Sequence, residues 1–181
     1  SYENSYTLMD KQSNPPTFNT LTMVIIWVGL LAGASFFFED VLESINNPNQ
    51  TIAIQINDNG SREIVLKQNR QGHYVATGQI NHQNVEFLLD TGATYVAIPE
   101  HLAKRLNLKK GAAHDTITAN GTSTSFMTTL DSISLGDIEM QHVPASISQG
   151  MQFDAVLLGM SFLKHLKMTQ HGKILTISVP D

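Results

Sequence analysis

The chain has 181 residues, of which 41% are hydrophobic and 15% are charged, and its formal net charge is −5. This length suits one domain of ordinary size, and the acidic balance without a long basic run argues against nucleic acid as a partner. The chain contains no cysteine, which excludes disulfides, zinc–thiolate sites, iron–sulfur clusters and cysteine nucleophiles.

The chain begins with a polar tail at residues 1–17, followed by an uncharged apolar run at residues 18–38. A run of ~20 residues matches a hydrocarbon core of ~30 Å. We therefore predict a transmembrane helix at 18–38. Two alternatives stay open for the same run. One is a cleaved signal peptide with Ala32-Gly33-Ala34 as its cleavage site, and the other is a buried core helix.

Two features of the apolar run bear on its partners and its orientation. Gly29 and Gly33 form a G-x-x-x-G pair, a spacing that lets two helices pack closely against a second copy or another membrane protein. Glycine is also common in membrane helices without any such role. Lys11 is the only basic residue before the run, and none follows until Arg62. The positive-inside rule then predicts a cytoplasmic N-terminus with the following domain across the membrane.

Residues 39–50 are predicted to form a linker in which Asn46-Asn47-Pro48-Asn49 breaks a helix. From residue 51 the pattern changes to short apolar or alternating runs that are separated by turn signals. This spacing predicts an all-β domain over residues 51–181, built as a sandwich or barrel. Two short helices are expected to interrupt it, at Glu100–Leu106 and Met160–Leu166.

The strongest local signal is an apolar run at residues 87–89 that ends abruptly in Asp90. A carboxylate at the end of a buried strand is costly unless it is paired or hydrogen-bonded. Gly92 stands two residues later and permits a tight turn with close backbone approach. Taken alone, the motif could be a simple turn in a β protein.

Two further features follow Asp90 along the chain. Asn120-Gly121 lies between Thr-rich segments, and Asn-Gly is the preferred pair for a two-residue hairpin turn. On its own this indicates an ordinary hairpin. Further on, the apolar strand at 155–158 ends at Gly159 and leads into a short helix.

These three features, in this order, resemble the retropepsins, which are single-domain aspartic proteases, and in particular a bacterial group with an N-terminal membrane anchor. The segments that carry the resemblance are NRQGHYVATGQIN, FLLDTGATYVAIP, TANGT and LLGMSFL, and it spans residues 64–180. It implies a closed β-barrel or sandwich with two short helices after one transmembrane helix. Asn81-His82 departs from the Asn-Gly turn of many bacterial relatives, so that turn is expected to differ.

The resemblance assigns roles to four sets of residues. Asp90 would be the catalytic aspartate, in a loop completed by Thr91, Gly92 and Ala93. The flap that closes over substrate would have Ala119, Asn120 and Gly121 at its tip. The support beneath the catalytic loop would come from Leu157, Leu158 and Gly159. The C-terminal run Lys173–Val179 would pair with its copy at the subunit interface.

Aspartic proteolysis needs two carboxylates ~3 Å apart that share one proton, and this sequence has a single Asp-Thr-Gly. We therefore predict a membrane-anchored aspartic endopeptidase that acts on peptide or protein substrates as a symmetric homodimer. The resemblance places it in a bacterial inner membrane with the protease domain in the periplasm. No cofactor or metal is expected, because the seven histidines lack tight ligand spacing.

A second function, from another class, is compatible with the same features. The domain could be a non-catalytic accessory subunit of a larger membrane complex that docks through its single helix and the Gly29/Gly33 face. The intact Asp90-Thr91-Gly92 favours the enzyme, because a binding module has no need for a costly carboxylate.

Overall fold

The structure, a computed structural model, describes residues 19–58, 60–118 and 121–180. The chain divides into two compact units, residues 1–40 and 41–181. This split lies close to the predicted end of the apolar run at residue 38, and the boundary at 50/51 stays a prediction. The polar tail predicted at 1–17 lies outside the described residues.

The first helix, α1, runs from Thr20 to Asn46. Asn19 caps it, because its side-chain oxygen accepts hydrogen bonds from the Thr22 N–H at 2.8 Å and the Thr22 hydroxyl at 2.7 Å. A Cβ added at Gly29 or Gly33 would meet nothing within 4 Å, so both present open faces. Among the described residues, no helix combines the length and apolarity needed to cross a membrane. The transmembrane helix at 18–38 thus stays a prediction.

Part of the predicted linker is buried in the second unit. Asn47 is 2% exposed and Asn49 is 4% exposed. The Asn49 side-chain oxygen accepts from the Lys67 N–H at 2.8 Å, and its amide donates to the carbonyls of Lys67 at 2.9 Å and Val75 at 2.6 Å. These two residues of the predicted linker therefore pack into the second unit, because a buried asparagine can satisfy backbone groups that strand ends leave unpaired.

The remaining elements in the described part of the second unit are eleven strands and two short helices. In chain order they are β1 (Ala53–Ile56), β2 (Arg62–Lys67), β3 (Val75–Ile80), β4 (Gln83–Leu89), β5 (Val96–Pro99), α2 (Glu100–Arg105), β6 (Ala113–Thr118), β7 (Gly121–Leu135), β8 (Ile138–Ser148), β9 (Val156–Leu158), α3 (Met160–Leu163), β10 (Lys167–His171) and β11 (Ile174–Ser178). The expected mostly β fold with two short helices is confirmed, although both helices end earlier than predicted.

Four strands form an antiparallel sheet in the order β1-β2-β11-β10. Strand β11 lies between β2 and β10, so both of its edges are hydrogen-bonded within its own chain. The prediction that Lys173–Val179 pairs with its copy was therefore wrong for β11. The free edges of this sheet belong to β1 and β10.

The second sheet positions the candidate site and has the order β3-β4-β9-β5-β8-β7-β6. It bends so that β3 also pairs with β7, at Gln79↔Ser134 and Ile80↔Ile133. Strand β9 is parallel to β4 and antiparallel to β5. The short β9 thus lies between the strand that ends before Asp90 and the strand that follows the same loop.

The core lies against this sheet and is built from alternating strand residues. The largest fully buried side chains are Phe87, Phe162, Ile64, Leu66, Ile80, Ile98, Leu130, Ile133, Leu135, Ile147, Leu158 and Leu163. Helix α2 adds Leu102 and Ala103 to the same cluster. Burial of one such side chain stabilises the fold by about 1.5–3 kcal/mol.

The turn between β3 and β4 keeps a two-residue geometry without glycine. Ile80 pairs with Gln83, and the residues between them, Asn81 and His82, have φ angles of 48° and 63°. Positive φ at both central positions is the type I′ pattern, which Asn-Gly satisfies most easily. This turn therefore differs from an Asn-Gly turn in the type of its second residue and keeps the same pattern of φ angles.

Candidate active site

Strand β4 carries the chain to Asp90, which lines a cleft. Phe87 is fully buried, and the strand ends at Leu89. The Asp90 N–H donates a hydrogen bond to the Leu158 carbonyl at 3.2 Å, and the Asp90 carbonyl accepts one from the Ala93 N–H at 3.2 Å. The loop is thus tied to β9 on one side and closed on itself on the other.

One oxygen of the Asp90 carboxylate is held inside its own loop. The Gly92 N–H donates to Asp90 Oδ1 at 2.9 Å, a local turn that aspartate favours. Asp90 is half-buried, whereas Thr91 and Gly92 are exposed. Within the described parts of the chain, no other side chain hydrogen-bonds to this carboxylate. Its second oxygen is therefore available to water, substrate or another carboxyl group.

The support beneath the loop comes from β9 and α3. Leu88 and Leu89 pair with Leu157 and Leu158 in parallel register. After Gly159, the Met160 N–H donates to the Ala93 carbonyl at 2.8 Å and the Ser161 N–H donates to the Thr94 carbonyl at 2.9 Å. These contacts hold both ends of the Asp90 loop against the segment 158–161.

Gly159 is required by this close approach. A Cβ at position 159 would collide with the Tyr95 carbonyl oxygen and lie 2.7 Å from the Ala93 carbonyl oxygen. Because both contacts are with backbone, no side-chain rotation relieves them. Nearby, the Ser161 hydroxyl oxygen accepts from the Val96 N–H at 2.9 Å, which fixes the start of β5.

The cleft has a volume of about 850 Å³, and Asp90, Gly92 and Ala93 lie at its floor. The β6–β7 hairpin forms one wall through residues such as His114, Thr116 and Ser125. The chain between β8 and β9 forms another, with Gly150, Met151, Gln152 and Phe153. An exposed pair, His101 Nε2 with Asp154 Oδ1 at 2.7 Å, connects this second wall to α2. A cleft of this size suits an extended peptide segment.

The tip of the hairpin differs from the predicted turn. Thr118 pairs with Gly121, so the two residues that connect the paired positions are 119 and 120 rather than Asn120 and Gly121. Gly121 has a φ angle of 110°, which favours glycine. The predicted flap residues Ala119 and Asn120 lie outside the described residues.

The structure brings the predicted floor and support residues together, but the sequence analysis missed much of the cleft lining. The missed residues are Thr94, Tyr95, Ala97, His114, Asp115, Thr116, Ser125, Ser146, Ser148, Gly150, Met151, Gln152 and Phe153. One signal was present: Ser123 and Ser125 on β7, and Ser146 and Ser148 on β8, repeat at the two-residue spacing of one strand face. Serines that recur on one face of two paired strands indicate a surface that is not ordinary core.

The charges of the cleft are few and mainly acidic. Asp90 and Asp115 line it, and His114 is the one basic side chain among the described lining residues. Thus the described lining has no lysine or arginine to neutralise Asp90.

Comparisons with known proteins agree with this geometry. Residues 76–165 match the profile of the family described as "gag-polyprotein putative aspartyl protease". The crystal structure of a retropepsin-like aspartic protease from Rickettsia conorii is 29% identical, with a TM-score of 0.54, and the match covers 63% of this chain and 97% of that one.

Two curated relatives are also similar. An uncharacterized protein in the cobV 5′ region of a Sinorhizobium species is 28% identical over 83% of this chain and 69% of its own length. The uncharacterized protein RP867 of Rickettsia prowazekii (strain Madrid E) is 29% identical over 64% of this chain and 50% of its own length.

The fold and the cleft fit an aspartic protease in which one chain supplies one aspartate loop. The family match covers that loop, the hairpin over it and the β9 support. Residues 76–165 of the chain thus carry a retropepsin-like aspartic protease domain.

Proposed function

We propose that this chain is an endopeptidase that hydrolyses peptide bonds with a water activated by two Asp90 carboxyl groups, one from each of two copies. The observation that carries the proposal is the position of Asp90. It lines a cleft on an exposed loop, with one oxygen held by the Gly92 N–H and no acidic partner bonded to it among the described residues.

The chemistry follows from the proximity of two such groups. Two carboxyls ~3 Å apart share one proton, because both cannot ionise at that distance. The ionised member takes a proton from the bound water, whose oxygen forms a bond to the scissile carbonyl carbon. The protonated member gives its proton to the carbonyl oxygen. The tetrahedral diol then breaks its C–N bond. The leaving nitrogen takes the proton that the first carboxylate gained from water, and the second carboxylate regains a proton from a diol hydroxyl.

A homodimer is proposed because the single chain supplies one carboxylate of this kind. The loop residues Thr91, Gly92 and Thr94 are exposed, so a second copy can approach them. A two-fold axis beside Asp90 would bring its twin into reach. The Thr91 hydroxyl is then proposed to brace the two loops against each other.

Attachment to a membrane through residues 18–38 is part of the same proposal. Its support is the uncharged apolar sequence and the exposure of large side chains along the described part of α1, such as Leu21 at 68% and Trp27 at 61%. Lys11 before the run favours a cytoplasmic N-terminus and a periplasmic protease domain. Tethering would also raise the effective concentration of two copies.

The test compares the full chain with its Asp90→Asn variant on an unstructured peptide library from acidic to neutral pH. The expected loss is ~10²–10⁴-fold, the usual contribution of acid–base groups. Asp131→Asn removes an exposed carboxylate outside the cleft and is the matched control. Equal cleavage by wild type and Asp90→Asn would refute the proposal. Membrane attachment is tested separately, by whether deletion of residues 18–38 releases the protein from native membranes.

A further inference from the structure

One wall of the cleft carries a row of polar side chains that cross three strands. His114 on β6 is the register partner of Ser125 on β7, and Ser125 is the partner of Ser148 on β8. Ser125 is fully buried and Ser148 is 4% exposed. Thr116 lies two residues from His114 on the same face of β6, and all four residues line the cleft.

Four polar atoms of this row have no hydrogen-bond partner among the residues that the structure describes. The hydroxyl oxygens of Thr116, Ser125 and Ser148 and the Nδ1 atom of His114 are buried without a hydrogen bond among the described residues. In the described part of the chain, these are four of five such side-chain atoms, the fifth being the Tyr74 hydroxyl. Buried polar side chains nearly always have hydrogen-bond partners. Four buried polar atoms without partners on one wall therefore indicate that a ligand binds to this surface.

His114 is oriented for this purpose by its other nitrogen. His114 Nε2 shares a hydrogen bond of 3.3 Å with the Ser146 hydroxyl, and the Tyr95 ring lies edge-on at 6.5 Å between centroids. Nδ1 is then left as a donor or an acceptor, according to the tautomer. Serine and threonine hydroxyls can likewise turn to donate or to accept. The wall therefore offers both kinds of hydrogen-bonding group.

The charges of the cleft select among the possible ligands. Asp90 and Asp115 would repel a carboxylate, and the described lining has no lysine or arginine to hold one. A carboxamide is neutral, donates through its NH₂ and accepts through its oxygen. Ala97 and Leu157 lie on the adjoining part of the cleft and can contact the methylene groups of such a side chain.

We propose that His114, Thr116, Ser125 and Ser148 form a specificity subsite for a substrate glutamine or asparagine side chain beside the scissile bond. The proposal rests on the proposed protease function and goes beyond it by naming the substrate feature. Each chain of a dimer would carry one such subsite.

The kinetic test uses matched peptides that differ at one position near the scissile bond, with glutamine, glutamate, lysine or leucine. The wild-type chain is expected to cleave the glutamine peptide ~10–100-fold faster than the leucine peptide in kcat/KM, because leucine leaves the polar wall unpaired. The Ser125→Ala/Ser148→Ala variant should lose most of that ratio through slower cleavage of the glutamine peptide. Ser132→Ala, a buried serine outside the cleft, should keep it.

A binding measurement separates this proposal from catalysis. Asp90→Asn protein is titrated calorimetrically with the same peptides, and tighter binding of the glutamine peptide is expected. If Asp90→Asn abolishes cleavage but this preference is absent, the subsite is refuted while the protease function stands. If the preference is present but wild type cleaves nothing, the subsite stands and the protease function fails.

Stability supplies the third readout. Removing an unsatisfied buried hydroxyl should leave the melting temperature of Ser125→Ala and Ser148→Ala unchanged or raised. A lower melting temperature with an unchanged glutamine-to-leucine ratio would show that the serines serve the fold alone. Preference for the lysine peptide would show that Asp115 directs binding. Preference for the leucine peptide would show that the wall binds apolar side chains. Each of these three outcomes overturns the proposal.

Discussion

The backbone N–H of Asp90 donates a hydrogen bond of 3.2 Å to the carbonyl of Leu158. Two segments far apart in the sequence therefore set the position of the Asp90 loop together. Strand β4 brings Asp90 to the cleft, and β9 lies parallel beside it with Leu89 paired to Leu158. Changes in β9 or in the residue that follows it should thus affect catalysis without touching the carboxylate.

Gly159→Ala tests this support directly. Its Cβ would collide with backbone oxygens of Tyr95 and Ala93, so the loop must shift. We expect a loss of about 1–3 kcal/mol in the free energy of unfolding. A misplacement near 1 Å would lower kcat/KM ~10²-fold. Denaturant unfolding and peptide cleavage measure the two effects.

Gly60→Ala is the control for this change. Gly60 has open space around it but a φ angle of 81°, so alanine there adds only local backbone strain of about 1 kcal/mol. Activity of the folded protein should be unaffected. Full activity in Gly159→Ala would contradict the positioning role of β9.

Asn49→Ala should destabilise the second unit strongly. The Asn49 side chain makes three hydrogen bonds to the backbone of Lys67 and Val75, and so joins β2 of one sheet to the residue that begins β3 of the other. Losing them should lower the free energy of unfolding by about 2–4 kcal/mol. Asn84→Ala removes an exposed asparagine bonded to Gln79 and should cost about 0.5 kcal/mol or less. Similar costs for the two variants would refute the bridging role.

His82→Gly should stabilise the fold by about 0.5–1 kcal/mol, because His82 is held at a positive φ that glycine adopts without strain. Chemical denaturation measures the gain. Asn81→Gly is the matched change at the other turn position, but it removes the acceptor of the Ser132 N–H at 3.1 Å. It should therefore gain less or lose stability. A loss in His82→Gly would contradict the strained-turn interpretation.

Glu86 gives the fold a pH dependence of known sign. Burial raises the pKa of Glu86 above 4.5, and the charge of Glu43 adds to this, although a hydrogen bond from Asn47 opposes it. The folded state thus binds the proton more tightly than the unfolded chain. This contribution to stability is complete below about pH 4.5 and is lost as the pH rises through the raised pKa.

Glu86→Gln keeps an acceptor for Asn47 and removes the titration. The melting temperature of Glu86→Gln minus that of wild type should therefore increase as the pH rises from 4 to 7. Glu139→Gln makes the same change on an exposed side chain and is the matched control. Parallel curves for wild type and Glu86→Gln would contradict the assignment.

The β class could be predicted from the sequence because the strands carry local signals, whereas the packing of residues 157–159 beneath the Asp90 loop was predicted from the family resemblance. The apolar run before Asp90 identified β4, and the apolar strand before Gly159 identified β9. The parallel pairing of these strands, however, depends on contacts between distant residues that local periodicity does not contain. The Asn-Gly pattern also predicted a two-residue turn at Asn120-Gly121, whereas Gly121 pairs with Thr118 in the structure. The register of a hairpin depends on all the residue pairs of β6 and β7, which the dipeptide does not contain.

Other features lacked any local signal. Strand β10 is mostly exposed and polar at Lys167–His171, so it shows no apolar alternation. Asn49 resembles a loop residue in sequence, and only its neighbours in space make it a buried bridge. The polar wall of the cleft needed the register of three strands before Ser125 and Ser148 could be seen as neighbours of His114.

The most direct test of the central claim is the dependence of cleavage rate on protein concentration in dilute solution. If two Asp90 carboxyl groups from two copies form the active site, the rate should rise with the square of concentration below the dimer dissociation constant. Added Asp90→Asn protein should also suppress wild-type activity by forming mixed pairs. A rate strictly proportional to concentration, unaffected by Asp90→Asn protein and measured on a verified monomer, would contradict the account.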